Sequence, residues 1–192
     1  MYYAPFFSTY QYQYPNSIYF YEPINNMGHW HNHAVANQLF YHQPIESDYR
    51  ELNDYGKQPY VVNINEATKQ NNTYRTAIWT GEHLQVTLMS LKIGEDIGLE
   101  IHPNVDQFLR IEQGQGVVQM GKTKNNLNYV QNVYDDFAIM IPAGTWHNVT
   151  NTGNTPLKLY SIYAPKQHPF GTVHETKADA LATERSFHSN SP

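Results

Sequence analysis

Glu100 and His102 stand one residue apart in the stretch GEDIGLEIHPNVDQFLRIEQG, Gly94 to Gly114. On a strand, side chains two positions apart point to the same face, so this carboxylate and this imidazole project together. Gln107 begins the next apolar run after a turn through Pro103–Asp106, which can bring its amide beside His102. His147 lies in a second stretch, DFAIMIPAGTWHNVTN, Asp136 to Asn151, where Pro142 and Gly144 shape the turn before it. On a strand paired nearby, it would complete a set of nitrogen and oxygen donors. Such ligation without thiolate suits Mn, Fe, Ni or Zn. The chain contains no cysteine, so disulfides, zinc–thiolate sites and thiol nucleophiles are excluded. A glutamine oxygen is a weak neutral donor that water can replace, which would leave a position open for a substrate or dioxygen.

Positioning these groups falls to short strands. The runs Pro59–Ile64, Tyr74–Thr80, His83–Leu91, Ile97–His102, Gln107–Glu112, Gly116–Met120, Tyr129–Tyr134, Phe137–Ile141, Trp146–Thr150 and Leu157–Ala164 are rich in Val, Ile, Thr, Tyr and Phe. Gly81, Gly94, Gly114, Gly121, Asp135–Asp136 and Gly153 punctuate them. Strands at this regular spacing predict an all-β sandwich or barrel, with a core over 57–165 inside a domain of 46–175. Asn65 is placed to cap a short helix through Lys69. Thr176 and Asp179 offer a capping-box-like start to a helix within the terminal segment 176–192.

Composition changes near residue 45. Before it the only charged side chain is Glu22, and Tyr2, Tyr3, Tyr10, Tyr12, Tyr14, Tyr19 and Tyr21 crowd the first 21 positions. Aliphatic residues are too few to form a core face, so residues 1–45 read as disordered or extended. His29, His31 and His33 could capture a transition metal, although three alternating histidines without a scaffold make a weak site. This segment resembles, in composition, the Tyr-rich tails of spore-coat proteins. The net charge of −5, with no basic stripe, argues against nucleic-acid binding. No stretch approaches the roughly 18 uninterrupted apolar residues of a membrane helix, and the N-terminus lacks the pattern of a secretory signal. The expectation is a soluble, cytoplasmic protein, with the spore coat as the alternative address.

The two stretches together resemble the signature motifs of the cupin superfamily. In the first, Gly94, Glu100, His102, Gln107 and Gly114 match every spacing, with Glu100 where the family's first His stands and Gln107 where its Glu stands. In the second, Pro142, Gly144, His147 and Asn151 fit, while Asp136 replaces the leading Gly. The resemblance covers roughly 110 of 192 residues, and GEHLQVTLM and HPFGTVHETK resemble flanking segments of small bacterial cupins. It implies a jelly-roll (double-stranded β-helix) barrel with Glu100, His102, Gln107 and His147 as ligands of a divalent transition metal. The exchanged carboxylate keeps the ligand set at one negative charge. The alternative is a barrel that has lost its metal, with Gln107 hydrogen-bonded to His102.

Family resemblance implies an enzyme acting on a small polar molecule, such as a dioxygenase or an isomerase. A non-catalytic structural role, as in a spore coat, is the other reading. A homodimer is expected, formed when an early strand extends the partner's sheet. Among other residues, Asp106 should face solvent or cap its turn. Arg110 and Glu112 should form a surface pair, and Phe108 and Phe137 should pack. Trp146 should point away from His147. His168 or His174 could fold over the barrel mouth as an acid–base group, surface exposure being the commoner fate of such residues.

Overall fold

Alternation of inward and outward side chains sets the architecture. Strand β8 (Leu157–Ala164) buries Leu157, Leu159, Ser161 and Tyr163, and β7 (Trp146–Asn151) buries His147, Val149 and Asn151. The computed structural model describes residues 52–189, so the Tyr-rich segment 1–45, with His29, His31 and His33, lies outside the described residues. In chain order the other elements are helix α1 (Ile64–Gln70), β1 (Arg75–Thr80), β2 (Gln85–Leu91), β3 (Asp106–Gln113), β4 (Gln115–Gly121), β5 (Tyr129–Tyr134), β6 (Ala138–Ile141), β9 (Val173–His174) and helix α2 (Lys177–Ser189). Six strands form one antiparallel sheet in the order β6-β3-β8-β2-β1-β9, and three form a second in the order β5-β4-β7. This is the expected jelly roll.

Met89, Leu91, Leu109, Ile111, Val118, Val149, Leu157 and Leu159 fill the space within the barrel. A smaller cluster of Ala67, Ile78 and Leu88 lies beneath α1. Lys158, nearly buried, ties that helix down: its Nζ donates to Lys69 O (2.8 Å), Asn71 O (2.6 Å) and Asn72 Oδ1 (2.8 Å), satisfying carbonyls left over at the helix end.

Several local expectations are corrected. Pro59–Ile64 is not a strand, and Val61 is 90% exposed. Asn63 rather than Asn65 caps α1, its Oδ1 accepting from Glu66 N at 3.3 Å, because it lies one residue before the first helical position. Asn65 instead donates to Glu112 Oε2. Glu112 is therefore only 1% exposed, covered by α1, although Arg110 Nε does approach it at 3.5 Å. Arg110 also pairs with Asp136. Phe108 meets Tyr160 with ring centroids 6.1 Å apart, and Phe137, though partly exposed, packs edge-on against Tyr134 at 5.6 Å, so both pack as expected. Asp106 behaves as expected, its Oδ1 accepting from Ala143 N at 2.8 Å. The start of α2 does too, with Thr176 and Asp179 exchanging side-chain to backbone bonds. The two-residue β9 is too short to announce itself in sequence. No helix among the described residues is long and apolar enough to cross a membrane.

Candidate metal centre

The segment from Gly94 to His102 runs antiparallel to β7 but does not form the expected strand. Two isolated bridges, Asp96 with Thr150 and Glu100 with His147, replace a ladder. Gly98 separates them: its φ is +91°, open to glycine, and its N–H donates to Asp96 Oδ1 at 2.6 Å in a tight turn. Beyond the turn Glu100 and His147 exchange both backbone hydrogen bonds, at 3.1 and 3.0 Å. Residues directly paired in this way put their side chains on one face. His102 is fixed next to them by Gly144 N, which donates to His102 O at 2.9 Å.

The result is a convergent trio. One donor atom each from Glu100, His102 and His147 all lie within 4.8 Å of one another. Glu100 Oε1 is 3.3 Å from both His102 Nε2 and His147 Nε2. These contacts are close but lack hydrogen-bond geometry, so all three atoms are buried without a hydrogen-bond partner. Ligand atoms about 2.1 Å from a common ion stand roughly 3.0–3.4 Å apart at tetrahedral or octahedral angles. The two distances from Glu100 to the histidines fit such an ion.

His147 is oriented for the purpose. Its Nδ1 lies 2.9 Å from Thr145 O, a carbonyl with no proton to give, so Nδ1 must donate and Nε2 carries the lone pair. Burial pushes the Glu100 carboxyl upward, and the nearby Arg75 charge opposes that and favours the ionised form. Glu100 keeps 18% of its side-chain surface exposed while Oε1 itself is buried.

Gln107, on β3, is buried. Its Nε2 donates to Ser161 Oγ at 3.0 Å, and its Oε1 has no hydrogen-bond partner. Asn151 is absorbed by structure: its amide donates to Leu91 O, Lys92 O and Thr155 O, and its Oδ1 accepts from Gly153 N. Trp146 is half-buried with Lys124 over its ring, away from the trio as expected. His174 is buried and His168 largely so, contrary to the surface expectation. Sequence reasoning missed Tyr163 and Gln85, both buried on the inner face beside Gln107 and His168; the period-2 alternation of β8 was the available signal for Tyr163.

The barrel, its two motifs and the Glu/His/His group define a class, and the chain belongs to the cupin family. The Cupin domain model matches residues 87–163. The uncharacterized Bacillus subtilis protein YrkC is 80% identical over 133 residues, covering 69% of this chain and 72% of that protein. The uncharacterized protein L612 of Acanthamoeba polyphaga mimivirus is 48% identical over 117 residues, 60% of this chain and 71% of that one. Among solved structures, a Bacillus halodurans protein is similar with a TM-score of 0.67 and 68% identity, covering 68% of this chain and 98% of that chain.

Proposed function

We propose that this cupin binds a divalent transition metal (Mn, Fe, Ni or Zn) through Glu100 Oε1, His102 Nε2, His147 Nε2 and Gln107 Oε1, and uses it to hold a small polar molecule. One observation carries the reading: four buried donor atoms on the four motif positions all lack a hydrogen-bond partner. Buried polar atoms are nearly always satisfied, so four orphans at one set of positions need a common acceptor of their lone pairs. A bound ion would supply Lewis-acid polarisation or activation of an oxygen ligand, the chemistry of an isomerase or a dioxygenase. The chain's own part is to hold Glu100 ionised, to fix the His147 tautomer through Thr145 O, and to aim the Gln107 oxygen inward through its bond to Ser161.

Elemental analysis of untagged protein, with thermal unfolding before and after chelation, tests this. Stoichiometric metal and a lower unfolding temperature after chelation are expected. Absence of metal, with no thermal response to any of the four ions, would refute it.

A further inference from the structure

The row of residues that carries two of the proposed ligands continues past them. Glu100 pairs with His147, His147 on β7 pairs with Met120 on β4, and Met120 pairs with Tyr129 on β5. Directly paired residues put their side chains on one face of a sheet. Tyr129 shares its parity with Val133, which is buried, so that face is the inner one. Met120, packed against the core, therefore stands between the trio and the side of the barrel where β5 and β6 are the edge strands of the two sheets. Two strand spacings, roughly 10 Å, separate His147 from Tyr129.

That side holds a cavity of about 320 Å³. Its floor is Val118, Val133 and Ile139, all core residues, and Met120 forms part of its wall. Tyr129, Gln131 and Phe137 line it from exposed positions at the rim. Among the described residues no charged side chain lines it. The volume lies at the small end of the range of about 300–1,000 Å³ found for sites that take small molecules. A concave, uncharged floor gains most from an apolar group withdrawn from water.

We propose that this cleft between β5 and β6 takes the apolar arm of the molecule held at the metal, and that this molecule is a medium-chain carboxylate whose acid group meets the ion. This rests on the metal-centre reading above. Charge decides which end goes where. A divalent ion with one carboxylate ligand retains a positive charge, and the buried Arg75 guanidinium, whose charge acts on Glu100, adds to it. At the cleft an acid group would lose its hydration with no cation to receive it. Met120 lies on the path between the two ends. Its unbranched, flexible side chain can turn aside for an arm to pass.

The test is titration calorimetry of the Mn-loaded full chain with propanoate, pentanoate and heptanoate. All three offer the metal the same acid group, and each step adds two methylenes. One buried methylene tightens binding roughly fourfold, so heptanoate should bind at least about tenfold more tightly than propanoate even if it is only partly covered. Gln131 shares the inner parity but is exposed, so it can be changed without disturbing the core. Gln131→Trp fills the cleft and Gln131→Glu places a charge in it; both should bring heptanoate affinity down towards that of propanoate. Metal content of each variant reports whether the ligand set is intact. Equal affinity for the three acids in metal-loaded wild type, or a gradient untouched by both substitutions, overturns this inference alone. A second copy of the chain seated on the cleft would give equal affinities together with a lower light-scattering mass for Gln131→Glu than for wild type, and that result also counts against it. A wild-type protein that takes up no metal overturns it together with the metal centre.

Discussion

Replacing His147 by Ala removes the only donor that β7 offers, since Asn148 lies on the opposite face of the strand. Four-ligand zinc sites bind with about 10–16 kcal/mol, or roughly 3 kcal/mol per strong ligand, so affinity should fall by roughly 100-fold. Gln107→Ala is a different loss. Water can take the place of a neutral amide oxygen, and the net cost of about 1 kcal/mol corresponds to roughly fivefold. Gln107→Glu should tighten binding, because a second carboxylate faces the ion and Ser161 Oγ can turn from acceptor to donor. Competition against a fluorescent chelator at fixed pH measures all three variants beside wild type. Circular dichroism of each, compared with chelated wild type, establishes that the barrel is intact. The reasoning fails if His147→Ala retains wild-type affinity, or if the two alanine variants weaken binding equally.

Other outcomes follow from the packing. Lys158→Met strips three acceptors of their donor beneath α1, and should cost about 2–3 kcal/mol in urea unfolding; a change below the fitting error would contradict the role of that contact. His168 titrates near 6.5 in the unfolded chain and at about 2 when folded, so protons bind the unfolded state first and stability drops as pH falls below 6.5. At pH 5 this term is about 2 kcal/mol, and His168→Phe should remove it; an unchanged pH slope would show that the imidazole is solvated. A homodimer should give a light-scattering mass twice the 22.3 kDa of the chain, and a single-chain mass at micromolar concentration would end that expectation.

The barrel was legible because strand runs and glycine turns recur at short, regular spacing, and β5 and β8 fall on the expected residues. The trio was legible because Glu100 and His102 share a face locally, and the Pro142–Gly144 turn sets up His147. What escaped depends on register between distant strands. Tyr163 reaches Gln107 only through the pairing of β3 with β8, and Gln85 reaches His168 across 83 positions of chain. No periodicity encodes that. Glu112 misled for a similar reason: its outward parity is real, but helix α1 lies over that face. The broken strand at Gly98 was misread because its apolar residues alternate, while the Asp96–Gly98 turn that interrupts the ladder is a backbone event.

The mutual backbone pairing of Glu100 with His147 also bears on maturation. Only Glu100 and His102 are neighbours in sequence; His147 joins them through the second sheet, and Gln107 is aimed through Ser161, 54 positions further along. Such distant groups meet only after loop-closure entropy has been overcome for most of the chain. An ion therefore cannot nucleate this fold as it does in a zinc finger, where the ligands sit close in sequence and the apo chain is unfolded. Here the four proposed donors come together only when the barrel has closed. Uptake of the proposed ion would then be a separate step, open to exchange between competing ions after synthesis, and its identity would be set by what the compartment supplies as much as by the four proposed ligands.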